Sequence, residues 1–248
     1  MLFPRAPAKY ISLVRGNESM AIALGLPCAE GIVICSDGQV PALNGEMYQE
    51  ERIASLELFG TAVVSSYGGA PGLWKEAWEK LGARLSQIQG PDEEGDVCVT
   101  PQSIHESADE ILETMGRPRD LQMLLAIGGV FNSPELFVFE DGAMHRATGF
   151  TCLSVGGASV VRYLADGLYT PGMSLEAAKN LGIYVISKAA QYIQGIGGPT
   201  DAVVIRGHQP EWLGDTEIKQ RETAMLGREK GLLRQILAPP ISSTPTAL

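Results

Sequence analysis

The feature that most constrains the fold is residues 20–35, where two short apolar runs flank a tight turn. The first run reads MAIALGL at 20–26, the turn PCAE lies at 27–30, and the second run reads GIVIC at 31–35. Two apolar runs around so short a turn are typical of a β-hairpin. We therefore expect residues 20–26 and 31–35 to be neighbouring antiparallel strands.

The elements that follow come in segregated runs of strands and helices. Further strands are expected at residues 52–59, 61–67, 121–127, 135–139, 151–155 and 202–206, the last of which should close the domain. Helices are expected near residues 73–85, 102–115, 159–169 and 174–194. Such runs, unlike strict βαβ alternation, favour an α+β fold with two antiparallel sheets and a helical layer on each outer side. This arrangement is a four-layer αββα sandwich.

Two of these helices carry patterns that indicate how they pack. The first has an apolar face made of Leu73, Trp74, Ala77, Trp78, Leu81 and Leu85. Such a stripe predicts packing against a sheet. In the fourth helix, Ser174 is placed as the N-cap, and Glu176 lies in the first turn, where the helix dipole favours an anion. The fourth helix is also apolar on several faces, through Leu181, Ile183, Val185, Ile186, Ala189 and Ile193. It must therefore be covered on more than one side, by its own sheet and by the tail helix or a second subunit.

Beyond residue 207 the sequence changes character. Residues 215–237 mix charged and apolar residues and predict an amphipathic helix, whereas residues 239–248 are expected to be unstructured. The helix is either a lid on the domain's own core, through Leu232, Leu233, Ile236 and Leu237, or a docking element for a neighbouring subunit. We divide the chain into an N-terminal extension at 1–18, an αββα domain at 19–207, and a C-terminal helix with a flexible tail at 208–248.

The charge balance excludes two classes of partner. The chain has 19 basic and 29 acidic residues, a net charge of −10, and its Lys and Arg residues do not cluster. Nucleic acid and anionic membrane surfaces both require clustered basic residues, so neither is expected as a partner. No apolar run is long enough to span a bilayer, and Arg5 and Lys9 precede no apolar signal core. We expect a soluble, cytoplasmic protein.

Metal and cofactor sites are not predicted. The four cysteines (Cys28, Cys35, Cys98 and Cys152) form no CxxC pair, and the three histidines lie far apart in the sequence. Buried free thiols are therefore expected rather than a zinc site. The glycine-rich runs IGGV at 127–130 and VGGAS at 155–159 match neither the GxGxxG pattern nor a Walker loop. No cofactor is expected.

Five short motifs, in order along the chain, carry a resemblance to a known family. They are DGQV at 37–40, VVSSYGGAPG at 63–72, LLAIGGV at 124–130, SVGGAS at 154–159 and GMSLEAA at 172–178. Over residues 19–206 the chain resembles the self-compartmentalising proteasome and HslV peptidase family. The resemblance implies the N-terminal-nucleophile hydrolase fold, whose order of elements is the one expected above.

The same resemblance implies a particular set of catalytic parts. The family uses a Thr, rarely Ser or Cys, as the first residue of the mature chain, so that its own free amine accepts the proton. A nearby Lys lowers the pKa of the nucleophile, a carboxylate holds the Lys and the amine, and a backbone N–H at a Gly-rich turn stabilises the oxyanion. By position, Asp37 matches the carboxylate and Gly68 matches the oxyanion glycine.

Other positions depart from the family pattern. The nucleophile position falls on Ala21, and the nearest hydroxyl is Ser19, which follows Glu18 where self-cleaving members usually have Gly. Arg52 stands for the family's Lys, and this exchange is not conservative because a guanidinium is bulkier and cannot lose its proton. Three further polar positions of the family fall on Gly157, Gln194 and Gly197. Together these departures indicate that selection for the peptidase chemistry has been lost.

Two hypotheses of different class follow. In the first, the chain is a non-peptidase, proteasome-like subunit of a homo-oligomeric ring or stacked rings, comparable to the family's inactive α-type subunits. Residues 9–16 (KYISLVRG) are similar to the α-type segment before the first strand. In the second, it is a Ser-type self-processing hydrolase of peptides or amides that uses Ser19 with Asp37, Arg52 and Gly68. An active partner subunit and a peptide or protein substrate are left open, and a small-molecule binding module has no specific support in the sequence.

Overall fold

The computed structural model of the chain describes residues 21–41, 47–58, 60–87, 99–130, 133–154, 158–193 and 195–237. Several sequence-based expectations lie outside these residues. They concern the extension at 1–18, Ser19, the polar positions Gly157 and Gln194, Cys98, and the tail at 239–248.

In chain order, the strands of the described residues are β1 (Ile22–Cys28), β2 (Gly31–Asp37), β3 (Gln39–Pro41), β4 (Met47–Gln49), β5 (Ile53–Leu58), β6 (Thr61–Gly69), β7 (Leu121–Gly129), β8 (Glu135–Glu140), β9 (Ala143–Arg146), β10 (Thr151–Ser154), β11 (Thr200–Arg206) and β12 (Gln209–Trp212). The helices are α1 (Pro71–Leu85), α2 (Pro101–Thr114), α3 (Ala158–Asp166), α4 (Leu175–Tyr192) and α5 (Asp215–Leu237).

The strands form two five-stranded sheets in which neighbouring strands are antiparallel. The first sheet has the order β10-β1-β2-β11-β12, the second has the order β5-β6-β7-β8-β9, and β3 and β4 make a separate two-stranded ribbon. Strands β1 and β2 pair from Ala23 opposite Ser36 to Cys28 opposite Gly31. The hairpin predicted from residues 20–35 is therefore confirmed for its described part.

Alternation along the strands explains the layers. In β2, Ile32 and Ile34 face the core between the two sheets, whereas Val33 and Cys35 face the helices that cover the first sheet. Both faces of this strand are buried, so its apolar run is continuous rather than alternating. Helices α1 and α2 cover the second sheet, and α3 and α4 cover the first. The predicted four-layer αββα sandwich is confirmed.

The helix signals in the sequence correspond to real packing and capping. Trp74, Ala77, Leu81 and Leu85 of the predicted α1 stripe are buried. At the start of α4, the Ser174 hydroxyl accepts a hydrogen bond from the Ala177 N–H at 3.3 Å. Within the described residues, no helix combines the length and the apolar character needed to cross a membrane.

The cover of α4 differs from the expectation. Five of its six named apolar residues are buried within the single chain: Leu181, Ile183, Val185, Ile186 and Ala189. The first sheet, α3 and the start of α5 supply that cover, the last through Ile218. The tail helix therefore covers part of α4, as expected, but it does so through Ile218 and not through Leu232 and Leu233, which are 60% and 49% exposed.

The end of the sandwich also differs from the expectation. Strand β11 was expected to close the domain, but β12 follows it directly and pairs with it, with Arg206 opposite Gln209. The connection is a two-residue turn in which Gly207 has a φ of +67°, a left-handed conformation that glycine adopts without strain. The first sheet therefore continues beyond residue 207.

Candidate functional site

A buried ion pair lies where β2 ends and β5 begins. Asp37 is the last residue of β2, and Arg52 directly precedes β5. The Arg52 Nη1 and Asp37 Oδ1 atoms are 3.6 Å apart, and the two side chains are only 3% and 1% exposed. The Asp37 carboxylate also accepts hydrogen bonds from the backbone N–H groups of Ile22, at 2.9 Å, and Gly197, at 3.4 Å. Its charge is thus compensated on several sides, as a buried carboxylate requires.

The Arg52 guanidinium is fixed by more than this pairing. Its Nη2 donates a hydrogen bond to the Gln39 carbonyl oxygen, and its Cζ lies 5.6 Å from the centre of the Tyr67 ring. The Nε atom is buried and has no hydrogen-bond partner among the described residues. A lysine ammonium could not reproduce this forked contact, so Arg52 is suited to holding two elements together.

The wall beside Arg52 is aromatic. The Tyr67 ring stacks on Trp74 with 4.6 Å between ring centres, and the Tyr67 hydroxyl donates to Glu50 Oε2 at 3.2 Å. Glu50 also pairs with Lys75 of α1. Ala21 packs into the same apolar cluster as Tyr67 and Trp74 and is 1% exposed. Ala21, on which the resemblance predicts the nucleophile position to fall, is therefore a buried methyl group.

Gly68 follows Tyr67 in β6 and lies opposite Gln122 of β7. A Cβ added at Gly68 would lie 2.9 Å from Gln122 Oε1 and 3.1 Å from Leu153 Cβ. A side chain at this position would therefore have to displace the end of the Gln122 side chain and press against Leu153. Its predicted role as an oxyanion donor stays a prediction.

Burial and, for Asp201, repulsion by neighbouring carboxylates shift the pKa values of the acidic groups around the pair. Burial raises the pKa of Asp37 above its usual range, while Arg52 and the backbone N–H groups oppose the rise. Burial raises the pKa of Asp201 to about 6, and Glu51, Asp215 and Asp37 add to that shift by repulsion. Asp201 lies opposite Ser36 in the register of β11 with β2, one position from Asp37. This end of the sandwich is therefore rich in negative charge.

The structure brings Asp37 and Arg52 together, places Gly68 beside the Tyr67 wall, and leaves Ser19 outside the described residues. The sequence did not reveal the Gln39 carbonyl or the Gly197 N–H, because backbone groups have no side-chain signature. Asp201 does have a side-chain signature, because its carboxylate directly precedes the apolar run AVVI of β11. A carboxylate beside a buried strand is a candidate for a shifted pKa.

Metal and thiol chemistry have no support in the described part of the chain. It contains no group of three or more His, Cys, Asp or Glu residues that could hold a metal ion. Cys35 and Cys152 are buried free thiols, and burial raises the pKa of each to about 12. Both are protonated at neutral pH and are poor nucleophiles.

Comparison of the sequence with known proteins gives a limited match. No established family profile matches the chain. The chain is 35% identical over 82 residues to proteasome subunit beta type-10 of Mus musculus, a match that covers 33% of this chain and 30% of the mouse protein. The chain thus spans about a third of the length of that relative.

Comparison of the structure is more extensive. An Anbu Gly-1 mutant from Hyphomicrobium sp. strain MC1 matches with a TM-score of 0.71 at 14% identity, covering 89% of this chain and 100% of that one. Anbu from Yersinia bercovieri, called an ancestral beta-subunit, matches with a TM-score of 0.68 at 14% identity, covering 88% of this chain and 97% of that one. The Anbu complex from Pseudomonas aeruginosa, a helical assembly, matches with a TM-score of 0.67 at 15% identity, covering 90% of this chain and 99% of that one. The fold is proteasome-like. The predicted resemblance to the proteasome family is thereby confirmed.

Proposed function

We propose that this chain is a self-assembling, proteasome-like subunit that does not carry out the family's N-terminal-nucleophile peptidase reaction. The observation that carries the proposal is the closed environment of the ion pair. Among the described residues, no side-chain hydroxyl hydrogen-bonds to the Asp37 carboxylate or the Arg52 guanidinium. Both groups are instead bound to each other and to the backbone.

This arrangement differs from what the peptidase reaction needs. In that reaction the cation lowers the pKa of a hydroxyl, and the free amine of the same residue accepts its proton. Here a buried alanine occupies the expected position, and the backbone N–H of the next residue, Ile22, donates to Asp37. Asp37 and Arg52 would therefore be a structural ion pair that joins the end of β2 to the start of β5.

Self-assembly is supported by the exposed surface of the α3–α5 side. Large apolar side chains are exposed there, namely Tyr163 at 79%, Tyr192 at 71%, Leu232 at 60% and Leu168 at 52%. A contiguous patch of such groups is typical of protein–protein contact sites. A repeated head-to-tail contact gives a ring if its rotation closes and a helix if it does not. We infer a homo-oligomeric ring or stacked rings.

The experiment combines the intact mass, the native mass and a hydrolysis assay on the expressed chain. We expect the full-length mass, a native mass that is a multiple of the chain mass, and no hydrolysis of peptide or amide substrates. Two matched variants, Ser19→Ala and Ser12→Ala, separate the alternatives. Loss of residues 1–18 together with hydrolysis that Ser19→Ala abolishes and Ser12→Ala retains would establish the Ser-type hydrolase instead.

The assembly part has its own test. Tyr163→Glu places a charge on the exposed face of α3 and should lower the native mass at micromolar protein. Val130→Glu is the control, because Val130 is 53% exposed but follows β7 on the other sheet. A clean monomer of the unmodified chain, or equal dissociation in both variants, would contradict assembly through the helical side.

A further inference from the structure

A cavity of about 340 Å³ lies between α4, the start of α5 and the loop that leads into β11. Its size is at the lower end of the range for small-molecule sites. Four residues give it an apolar wall: Ile186, Ala190, Pro199 and Ile218. Gly197, whose N–H donates to Asp37, also lines it. The cavity therefore adjoins the ion pair but is built mainly from the two helices.

One polar group in the cavity wall has no partner within the protein. Ser187 of α4 is 5% exposed, and its hydroxyl makes no hydrogen bond to any described residue. A buried hydroxyl without a partner costs about 1–3 kcal/mol, so such groups are normally satisfied by water or a ligand. Ser187 thus offers one hydrogen-bonding position to a molecule in the cavity.

The charges around the cavity favour a cation. Asp215 and Glu222 of α5 line it, and within the described residues neither makes a hydrogen bond or ion pair. Lys219 is the one basic residue in the lining. Beyond the lining, Asp201 is repelled by Asp215, and this repulsion contributes to the raised pKa of Asp201, about 6. A cleft with an excess of one charge concentrates ligands of the opposite charge.

The spacing of the two carboxylates narrows the class of ligand. Asp215 and Glu222 are two helical turns apart on the same face of α5, which separates them by about 10 Å along the axis. A single small cation cannot contact both carboxylates at that separation. The wall between them contains Ile218 of α5 and Ile186 of α4. The cavity thus presents an anion at each end, and between them an apolar surface and the Lys219 side chain, which is four residues after Asp215 and three before Glu222.

We propose that this cavity binds an aliphatic diamine, with one ammonium group at Asp215, the other at Glu222, and the methylene chain against Ile186 and Ile218. The Ser187 hydroxyl accepts a hydrogen bond from one of the ammonium groups. Lys219 repels the ligand and limits its affinity. This binding site is independent of whether the chain hydrolyses peptides.

The test is isothermal titration of the full chain with 1,6-diaminohexane at low ionic strength. Hexylamine and hexan-1-ol serve as matched probes that lack one or both charges. We expect saturable binding of one diamine per chain, at least tenfold weaker binding of hexylamine, and no measurable binding of hexanol. Equal affinity of the diamine and hexylamine, or no binding of the diamine at millimolar concentration, would overturn the proposal.

Variants locate the site. Glu222→Gln should remove the advantage of the diamine over hexylamine, and Ser187→Ala should weaken diamine binding about three- to tenfold. Lys219→Gln should tighten binding, a gain that a damaged fold cannot produce. Glu79→Gln, an exposed carboxylate of α1, is the control for loss of bulk charge. If Glu79→Gln weakens binding as much as Glu222→Gln does, or if millimolar Mg²⁺ displaces the diamine completely, the interaction is non-specific cation binding and the proposal fails.

Discussion

Two ion-pair systems in this molecule have opposite surroundings. The Arg52–Asp37 pair lies inside the sandwich at 3.6 Å, with both side chains almost fully buried. Arg221 of α5 pairs with Glu176 of α4 at 2.8 Å, but the Arg221 side chain is 18% exposed and that of Glu176 is 62% exposed. The inner pair is longer than the outer one, and yet we expect it to matter more for stability, because water screens the outer charges.

The inner pair, Arg52–Asp37, and the outer system, the ion pairs between α4 and α5, also differ in the elements that they connect. The inner pair connects strands that already share large apolar cores. The outer system holds a helix that buries little apolar surface, since Ile218 is the buried apolar residue of α5 among its described side chains. Lys188 of α4 reinforces it by pairing with Glu229 at 2.6 Å. Loss of the inner pair should therefore affect global unfolding, and loss of the outer pairs should affect the docking of one helix.

The largest effect is expected for Arg52→Met. The substitution leaves Asp37 buried without its cation, and the free energy of unfolding should fall by about 3–5 kcal/mol at pH 7. Urea unfolding at a fixed protein concentration measures this change, because assembly makes stability concentration-dependent. Arg52→Lys is the matched control and should cost less, since it keeps the charge. A loss below 1 kcal/mol in Arg52→Met would show that the inner pair behaves as an exposed one.

The second prediction concerns the double variant Arg52→Met with Asp37→Leu. Replacement of both members of a buried pair by apolar residues is often neutral or stabilising. The backbone N–H groups of Ile22 and Gly197 would lose their acceptor, so we expect partial recovery relative to Arg52→Met rather than a gain over the unmodified chain. A double-mutant cycle with both single variants measures the coupling. Strictly additive losses would show that the two charges do not interact.

The comparison also explains which parts could be predicted from the sequence. The β1–β2 hairpin, the buried stripe of α1 and the Ser174 cap depend on neighbouring residues, and local patterns encode them. The meeting of Asp37 and Arg52 could be expected only through the family resemblance, because they belong to different sheets. The residue of α5 that covers α4, Ile218, could not be predicted, since an apolar face shows that cover is needed but not which atoms provide it. The Gly197 N–H and the Gln39 carbonyl leave no side-chain signal at all.

A third prediction uses the pH dependence of a carboxyl between the two systems. The pKa of Asp201 in the folded chain is about 6, above the ordinary value of 3.8. The folded state thus binds the proton more tightly, so Asp201 destabilises the fold above pH 6, and this effect fades as the pH falls towards 4. Asp201→Asn should raise the free energy of unfolding by about 1 kcal/mol at pH 8, allowing for solvent screening, and leave it unchanged below pH 4.

Asp109 provides a control of opposite sign for this prediction. Its hydrogen bonds from Arg117, at 2.8 and 3.0 Å, lower the pKa of Asp109 below its ordinary value. Asp109→Asn should therefore destabilise the chain at neutral pH, with the loss disappearing as the carboxyl is protonated at low pH. Urea unfolding of both variants at pH 8, at pH 4 and below pH 4 checks the two signs, because the Asp109 effect is lost only below the ordinary pKa of 3.8. If Asp201→Asn lowers stability at pH 8, its carboxylate is stabilised by contacts that outweigh its burial.

The smallest effect is expected for Arg221→Ala. Arg221 contacts Glu176 and the Asn180 side chain of α4, the latter at 3.0 Å, and Glu217 of its own helix at 2.6 Å, so its removal disconnects α5 from α4 at two points. Because these partners are partly exposed, we expect a loss of only about 0.5–1 kcal/mol at low salt. At 1 M NaCl, where screening acts over about 3 Å, most of this loss should vanish, whereas the loss in Arg52→Met should persist.

Arg84→Ala is the control for removal of an exposed arginine, since Arg84 and Glu110 are 3.8 Å apart and both well exposed. Amide hydrogen exchange should show faster exchange in α5 of Arg221→Ala, with the strands of both sheets unchanged. A loss in Arg221→Ala as large and as salt-resistant as that in Arg52→Met would mean that burial does not distinguish the two systems.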